Sequence, residues 1–185
     1  MKIAEKYSKK YLKNEINEIQ RRKAYKEISV LTIYEEAIIY KYSNDGFESL
    51  NENLRKTNGK NDSEFGKLLN SALSKLENYI GLVFRGVNLT ENEINKYIAA
   101  NKDDNILIEP TFISTSKSRL IAMEYRGNTL FRIFSKRGKE IEKIAKFGAH
   151  NPQNEREVLF KPNSGFKVLE IINESNYTLI TIEEI

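Results

Sequence analysis

The chain changes character near its middle, with helical periodicity in the first half and short apolar runs in the second. Ile3, Tyr7, Leu12, Ile16 and Ile19 recur every three to five residues with Lys and Glu between them, which predicts an amphipathic helix to about Lys26. Leu31, Tyr34, Ile38 and Ile39 predict a second helix over 30–42, stopped by Ser43-Asn44-Asp45-Gly46. A short helix over 47–56 and the turn-rich stretch 57–62 follow. The next helix is capped by Asp62 or Ser63 and runs to about Asn78, with Phe65, Leu69, Ala72, Leu73 and Leu76 on one side. Beyond it, segments 82–86, 106–108, 112–115, 129–135, 141–145, 156–160, 166–172 and 177–182 read as strands. One helix, opened by the Thr90/Glu93 capping box and running to about Asn101, interrupts them. Helices first and strands after exclude a βαβ repeat and predict an α+β fold.

With 185 residues, the chain is expected to be one domain, at most with an appended helical arm. Hydrophobic residues at 39% and charged residues at 30% support a packed core and argue against disorder. No run of about 18 apolar residues predicts a membrane span, and the charged start Met1–Glu15 predicts no secretory signal. The absence of Cys excludes a disulfide scaffold, a thiol nucleophile and Cys-based zinc sites. The single His excludes a multi-histidine metal centre, so no metal is expected, and any Ser-His-Asp triad would have to use His150. His150 otherwise reads as a solvent-facing loop residue.

The net charge of +4 is unevenly placed. Residues 1–28 hold nine Lys/Arg against four Glu, and residues 29–185 hold 21 against 22 Asp/Glu. This divides the chain into a basic helical arm, 1–28, and a near-neutral body, 29–185. A Lys-rich solvated helix face explains the arm most simply; an acidic protein partner, nucleic acid or an anionic surface are the alternatives.

Three polar features interrupt the apolar strands. Arg85 ends Leu82-Val83-Phe84, where a guanidinium needs either an internal partner or an anionic ligand such as phosphate. Ser114-Thr115-Ser116 follows Phe112-Ile113, where hydroxyls can bridge strands or orient a carboxylate. Glu155 and Glu157 stand two apart at a strand start, which would put both carboxylates on one face and raise one pKa by repulsion. Each has a plain structural alternative: a salt bridge, a strand end or an exposed edge. A glycosidase fits poorly, because i, i+2 residues lie about 7 Å apart at best without a second strand to oppose them, and no Trp is present to line a sugar groove. No Gly-x-Gly-x-x-Gly or Gly-Lys-Ser/Thr element supports a kinase or P-loop enzyme.

In order, Val83-Phe84-Arg85-Gly86-Val87, Phe112-Ile113-Ser114-Thr115-Ser116 and Glu155-Arg156-Glu157-Val158-Leu159-Phe160 resemble the Arg, Ser-Thr-Ser and Glu-x-Glu signature of arginine-type mono-ADP-ribosyltransferases. The spacings, about 30 and 40 residues, are similar to that family's. Residues 37–42, Gly46-Phe47 and 50–55 resemble the helices of its bacterial toxins, and the likeness spans about 30–185. It implies a mixed, split β-sheet behind N-terminal helices, gripping NAD in a cleft, with NAD as substrate and no metal.

By the same resemblance, Arg85 would hold an NAD phosphate or ribose, and Ser114 would orient the nicotinamide ribose or the catalytic Glu. Thr115 and Ser116 would brace the strand and belong to the cofactor site. Glu157 would stabilise the oxocarbenium ion, and Glu155 would orient and deprotonate the acceptor. Asn51 and Arg55 would line the helical side of the cleft, with Arg132 reaching a phosphate. Residues 146–155, with Phe147 as a surface contact, would form the acceptor loop. Residues 117–127, with Arg119, Tyr125 and Arg126, would form a mobile loop over the nicotinamide side. Gly86 departs from toxins that carry a second Arg there, which argues against actin as target.

The implied function is transfer of ADP-ribose to an arginine of a target protein by a bacterial or phage toxin or effector. Such a protein would be secreted or injected without a signal peptide and act as a monomer in the target-cell cytoplasm. The alternatives are NAD glycohydrolysis, a nucleic-acid acceptor (not favoured), or a degenerate module that only binds NAD or protein.

Overall fold

A computed structural model describes residues 2–22, 30–60 and 62–185. The first expected helix is two, α1 (Ile3–Tyr11) and α2 (Lys13–Arg21), broken at Leu12, whose φ and ψ are −123° and 39°. Leu12 is buried at the break, so the bend seats it in the core between α1 and α2. The part of the expected helix from Lys23 to Lys26 lies outside the described residues. Ser8 on α1 donates its hydroxyl to the Tyr34 carbonyl at 2.9 Å, tying the arm to the next helix.

That helix, α3 (Ile33–Lys41), starts at a capping box: Thr32 Oγ1 accepts from the Glu35 amide, and the Glu35 carboxylate accepts from the Thr32 amide. Ser43-Asn44-Asp45-Gly46 does not stop the chain. It forms a π-helical turn, Tyr42–Gly46, that runs into α4 (Phe47–Lys56). The residues that signal a turn are used inside the helix: Ser43 donates to the Tyr40 carbonyl at 3.0 Å, and Asp45 pairs with Lys41 at 2.8 Å. Ser63 caps α5 (Glu64–Leu73) by accepting from the Gly66 amide. This helix ends before its expected limit because Asn78 already belongs to β1 (Asn78–Val87).

After α6 (Glu91–Asp103) come β2 (Ile106–Glu109), β3 (Ile113–Ser116), a short α7 (Arg119–Glu124), β4 (Thr129–Glu140), β5 (Glu157–Phe160), β6 (Ser164–Asn173) and β7 (Thr178–Glu184). Segment 141–145 is not a strand. Ile144 and Ala145 donate back to the Ile141 carbonyl, both at 2.8 Å, in one helical turn. Its apolar side chains are buried under the helices, so the run marks packing, not a ladder.

The seven strands lie in the order β1-β3-β5-β4-β7-β6-β2, with β1 also paired along β4 from Asn78↔Lys139 to Val87↔Thr129. Among the described residues only β4 and β7 pair in parallel, so the sheet is mixed and the class is α+β. The β3–β5 pair stands apart from the long strands. It meets β1 at Phe84↔Ser116 and β4 only at Lys139 and Glu140. One core lies between the two strand groups, with Val83, Phe131, Ile133, Val158, Phe160 and Ile180. A second joins the helices to the β3–β5 pair and contains Leu12, Ile19, Ile38, Leu54, Phe112 and Leu159.

Candidate active site

Arg85, Ser114 and Glu157 converge where β1, β3 and β5 meet. Arg85 is placed by the β1–β4 register and donates Nη1 to the Ser114 carbonyl at 2.6 Å. Burial pulls its pKa down, opposed by Tyr42, Glu109, Tyr97 and Glu157 around it. Tyr97 on α6 donates its hydroxyl to Glu109 Oε1 at 2.7 Å, so an acidic group at the end of β2 is fixed beside the guanidinium. One hydrogen bond to a carbonyl leaves most of the guanidinium fork free for an anion.

Glu157 opens β5 opposite Ser116 and is 5% exposed. Burial raises its pKa to about 7; the hydrogen bond from Ser114 and the charge of Arg85 oppose the rise, and Glu155 adds to it. Its ionisation is therefore poised near neutrality, the range a working carboxylate needs. Beside Ser114 stands Tyr42, a fully buried side chain whose pKa burial drives well above the ordinary tyrosine range. Tyr42 is thus a neutral, fixed dipole behind Ser114. Asn51 on α4 donates Nδ2 to Tyr42 Oη and to the Phe112 carbonyl, each at 3.2 Å, and accepts from the Phe112 amide at 3.1 Å.

Glu155 is not on the strand. Arg156 between the two glutamates has φ 51°, a left-handed conformation costly for a residue with a Cβ, and β5 begins only at Glu157. Asn154 supports the turn by accepting from the Arg156 amide at 2.9 Å. The expectation of two carboxylates on one strand face is corrected: a left-handed turn sets their relation. Ser116 Oγ donates to the Glu155 carbonyl at 2.7 Å, and the Glu155 amide donates to the Phe147 carbonyl at 2.8 Å. Tyr125 Oη donates to Glu155 Oε1 at 2.6 Å, and that bond pushes the tyrosine pKa up to about 12.

The other expected site residues divide. Thr115 lies on the opposite face of β3 from Ser114 and donates to the Val158 carbonyl at 2.6 Å inside the apolar core, which is the strand brace expected of it; the hydroxyl is turned away from the face that carries Ser114. Ser116 is buried and its hydroxyl holds the Glu155 main chain. Asn51 has its amide engaged by Tyr42 and Phe112. Arg55 is exposed on α4. Arg132 pairs across from Phe84, whereas Arg85 pairs across from Phe131, so the two arginines face opposite sides of the sheet. Arg132 instead bonds Thr181 at 3.1 Å and Glu170 at 3.0 Å, which corrects its expected reach to a phosphate beside Arg85.

Segment 117–127 contains α7. Its Arg119 donates to Tyr177 Oη at 3.1 Å and its Arg126 lies 4.5 Å above the Tyr177 ring, so only Tyr125 of the three faces the glutamate pair. Tyr42 and Tyr125 fall in segments 37–42 and 117–127 singled out from the sequence, whereas Tyr97 and Glu109 join the site without a sequence signal of their own. Their spacing is ordinary helix or strand spacing, and only the three-dimensional meeting point gives them a role. Among the described residues, no three or more His, Asp or Glu side chains are grouped to hold a metal ion.

Comparison with known proteins places this geometry. Residues 2–185 match the family model described as NAD:arginine ADP-ribosyltransferase. The chain is 27% identical over 175 residues to the Vibrio splendidus protein named NAD(+)–arginine ADP-ribosyltransferase Vis, covering 85% of this chain and 67% of Vis. It is 32% identical over 138 residues to the Mycobacterium avium protein named NAD(+)–arginine ADP-ribosyltransferase Mav, covering 72% of this chain and 15% of Mav. The solved structure of Vis with agmatine superposes at a TM-score of 0.67 with 26% identity, covering 94% of this chain and 86% of that one. The ADP-ribosyltransferase HopU1 of Pseudomonas syringae pv. tomato superposes at 0.77 with 20% identity, covering the same shares.

Proposed function

The chain belongs to the NAD:arginine ADP-ribosyltransferase family, and from that membership we propose that it transfers ADP-ribose from NAD to an arginine of a target protein. The observation that carries the reading is Glu157, a buried carboxylate at the start of β5 whose pKa burial raises to about 7, with Ser114 and the Arg85 guanidinium, which bonds the Ser114 carbonyl, on the neighbouring strands. That set matches the demands of the reaction. The bond between ribose C1′ and nicotinamide breaks, its electron pair leaves with nicotinamide, and positive charge develops on the ribose. An ionised Glu157 counters that charge as it forms. The cationic nicotinamide ring would itself favour the ionised form when NAD is bound. Arg85 offers its fork to the diphosphate or ribose.

A guanidino nitrogen of the acceptor then attacks C1′ and passes a proton to Glu155 on the loop before β5. The pKa of a free guanidinium lies above about 12, so deprotonation has to accompany bond formation at a fixed carboxylate. Ser116 and Phe147 hold the main chain of Glu155. Asn51 and Tyr42 fix the strand that carries Ser114. Arg55 is proposed as an exposed contact on the helical side of the cleft and Phe147 as a contact for the target surface. We assign 29–185 to the catalytic body and 1–28 to a basic arm that faces an acidic partner. The protein acts as a monomeric effector inside a target cell.

Incubating the protein with labelled NAD and cell lysate should label a protein band, and Glu157→Ala should abolish that label with the fold retained. Equal labelling by Glu157→Ala overturns the assignment. Nicotinamide release with no labelled macromolecule identifies water as the acceptor, and label in RNA or DNA identifies a nucleic-acid acceptor.

A further inference from the structure

We propose that Arg22, which follows α2 in the basic arm, is a positioning residue for segment 141–155, the helical turn 141–145 together with the acceptor loop 146–155 that it leads into, so that the arm governs transfer to arginine and not cleavage of NAD. The inference rests on the transferase reading above. Arg22 follows α2, a helix pinned by buried Ile19 and Leu12 in the core of the helical layer. Its guanidinium lies 4.6 Å over the Tyr40 ring, itself buried on α3. From there Nη1 lies 3.3 Å from the Ala145 carbonyl, 3.5 Å from the Ile144 carbonyl and 3.3 Å from His150 Nδ1.

The two carbonyls end the single helical turn at Ile141–Ala145, where main-chain acceptors lack helical partners and a cation is favoured. His150 fits the same arrangement. Burial and the charge of Arg22 push its pKa down, which favours the neutral ring that a contact with the guanidinium requires. With Nδ1 accepting from Arg22, Nε2–H is the donor to the Lys146 carbonyl at 3.2 Å, and one tautomer satisfies both contacts.

The contacts fall on the loop that ends at Glu155. Ser43 accepts from the Lys146 amide at 2.8 Å, Glu142 bonds Asn154 at 2.6 Å and Lys117 at 2.5 Å, and the Glu155 amide bonds Phe147. Those ties come from the catalytic body. Arg22 brings a tie from the arm, and it joins the start of the loop to His150 in its middle. Glu157, Ser114 and Arg85 stand on strands that Arg22 does not touch. Loosening the loop should therefore disperse Glu155 and the acceptor-facing surface while leaving the NAD-cleaving groups in place.

The test uses the whole chain with NAD as donor and agmatine as acceptor probe. Arg22→Ala should raise the agmatine KM about five- to tenfold, with acceptor-free nicotinamide release within about twofold of the parent. Arg22→Lys, which keeps a cation over Tyr40 without the fork, should fall between. His150→Ala, on an exposed stretch of the loop, should shift KM in the same direction and serves where Arg22→Ala folds poorly. Hydrogen exchange gives a readout independent of catalysis: amides of 141–155 should exchange faster in Arg22→Ala while those of β3 and β5 do not. An unchanged KM, a parallel fall in transfer and nicotinamide release, or unchanged exchange in the loop each overturns the proposal. A parent protein that releases no nicotinamide overturns the transferase reading instead, and loop exchange still decides the role of Arg22.

Discussion

The poise of Glu157 yields a pH profile that can be worked out before measurement. In the NAD-free protein the carboxyl has a pKa of about 7, because its burial outweighs Ser114 and Arg85. If the ionised form is the working one, kcat/KM for nicotinamide release should rise almost tenfold per pH unit below about 6 and level off above 8, since this parameter reports the free enzyme. Ser114→Ala then tests the cause. A hydrogen bond to a charged group is worth roughly 1.5–3 kcal/mol and a pKa unit is about 1.4 kcal/mol, so its loss should move the midpoint up by about one to two units. At pH 6.5 the variant should be about eight- to eightyfold slower, and much of the loss should be recovered by pH 9. A loss equal at every pH would mean that Ser114 acts on the substrate and not on Glu157. A flat parent profile between pH 5 and 8 would refute the poised carboxyl.

The same shift carries a cost in stability. The folded pKa of Glu157 lies above its unfolded value near 4.5, so its contribution is fully present below 4.5 and is lost as pH rises through about 7. Glu157→Gln should therefore be more stable than the parent at pH 8 by roughly 2–4 kcal/mol, with the gap closing by pH 5, as urea titrations at the two pH values would show. Asn51→Ala removes three hydrogen bonds from Tyr42 and the Phe112 main chain. A loss of about 2–4 kcal/mol, or a Tm lower by roughly 5–12 °C, should follow, and a Tm within about 2 °C would leave Asn51 as a ligand contact only. Gly86→Ala would set a Cβ 2.1 Å from the Ala122 carbonyl and 2.6 Å from the Arg126 amide, so α7 must move. Calorimetry should show a loss above about 2 kcal/mol, and agmatine transfer should fall because Tyr125 follows α7.

Gly86 also shows what kind of information the sequence carries. An Arg-Gly pair reads only as a departure from chains with a second Arg, whereas the structure supplies the cause: the main chain of α7 rests on this strand with no room for a side chain. Arg85, Ser114 and Glu157 are legible in advance because polar groups stand out in apolar strands, and strand spacing gives their faces. The same spacing misleads once the main chain leaves the strand. Arg156 turns left-handed, so Glu155 and Glu157 are related by a turn and not by a pleat. Arg132 shows the converse, since its place in an apolar run is evident and its side follows only from a register that no single strand contains. Helix limits fail for a related reason. Ser43 and Gly46 carry turn chemistry, but Gly46 lies 3.1 Å from the Phe65 ring at the point where a Cβ would stand, so close helix packing uses the same residue type as a turn. The basic arm is the extreme case. Its charge reads most simply as a solvated face, with an acidic partner, nucleic acid or an anionic surface as the alternatives. Yet Leu12 and Ile19 are each 2% exposed, and they fix the helix from which Arg22 reaches the loop. A charge excess describes a helix surface; the buried minority on the same helix decides what that surface is held against.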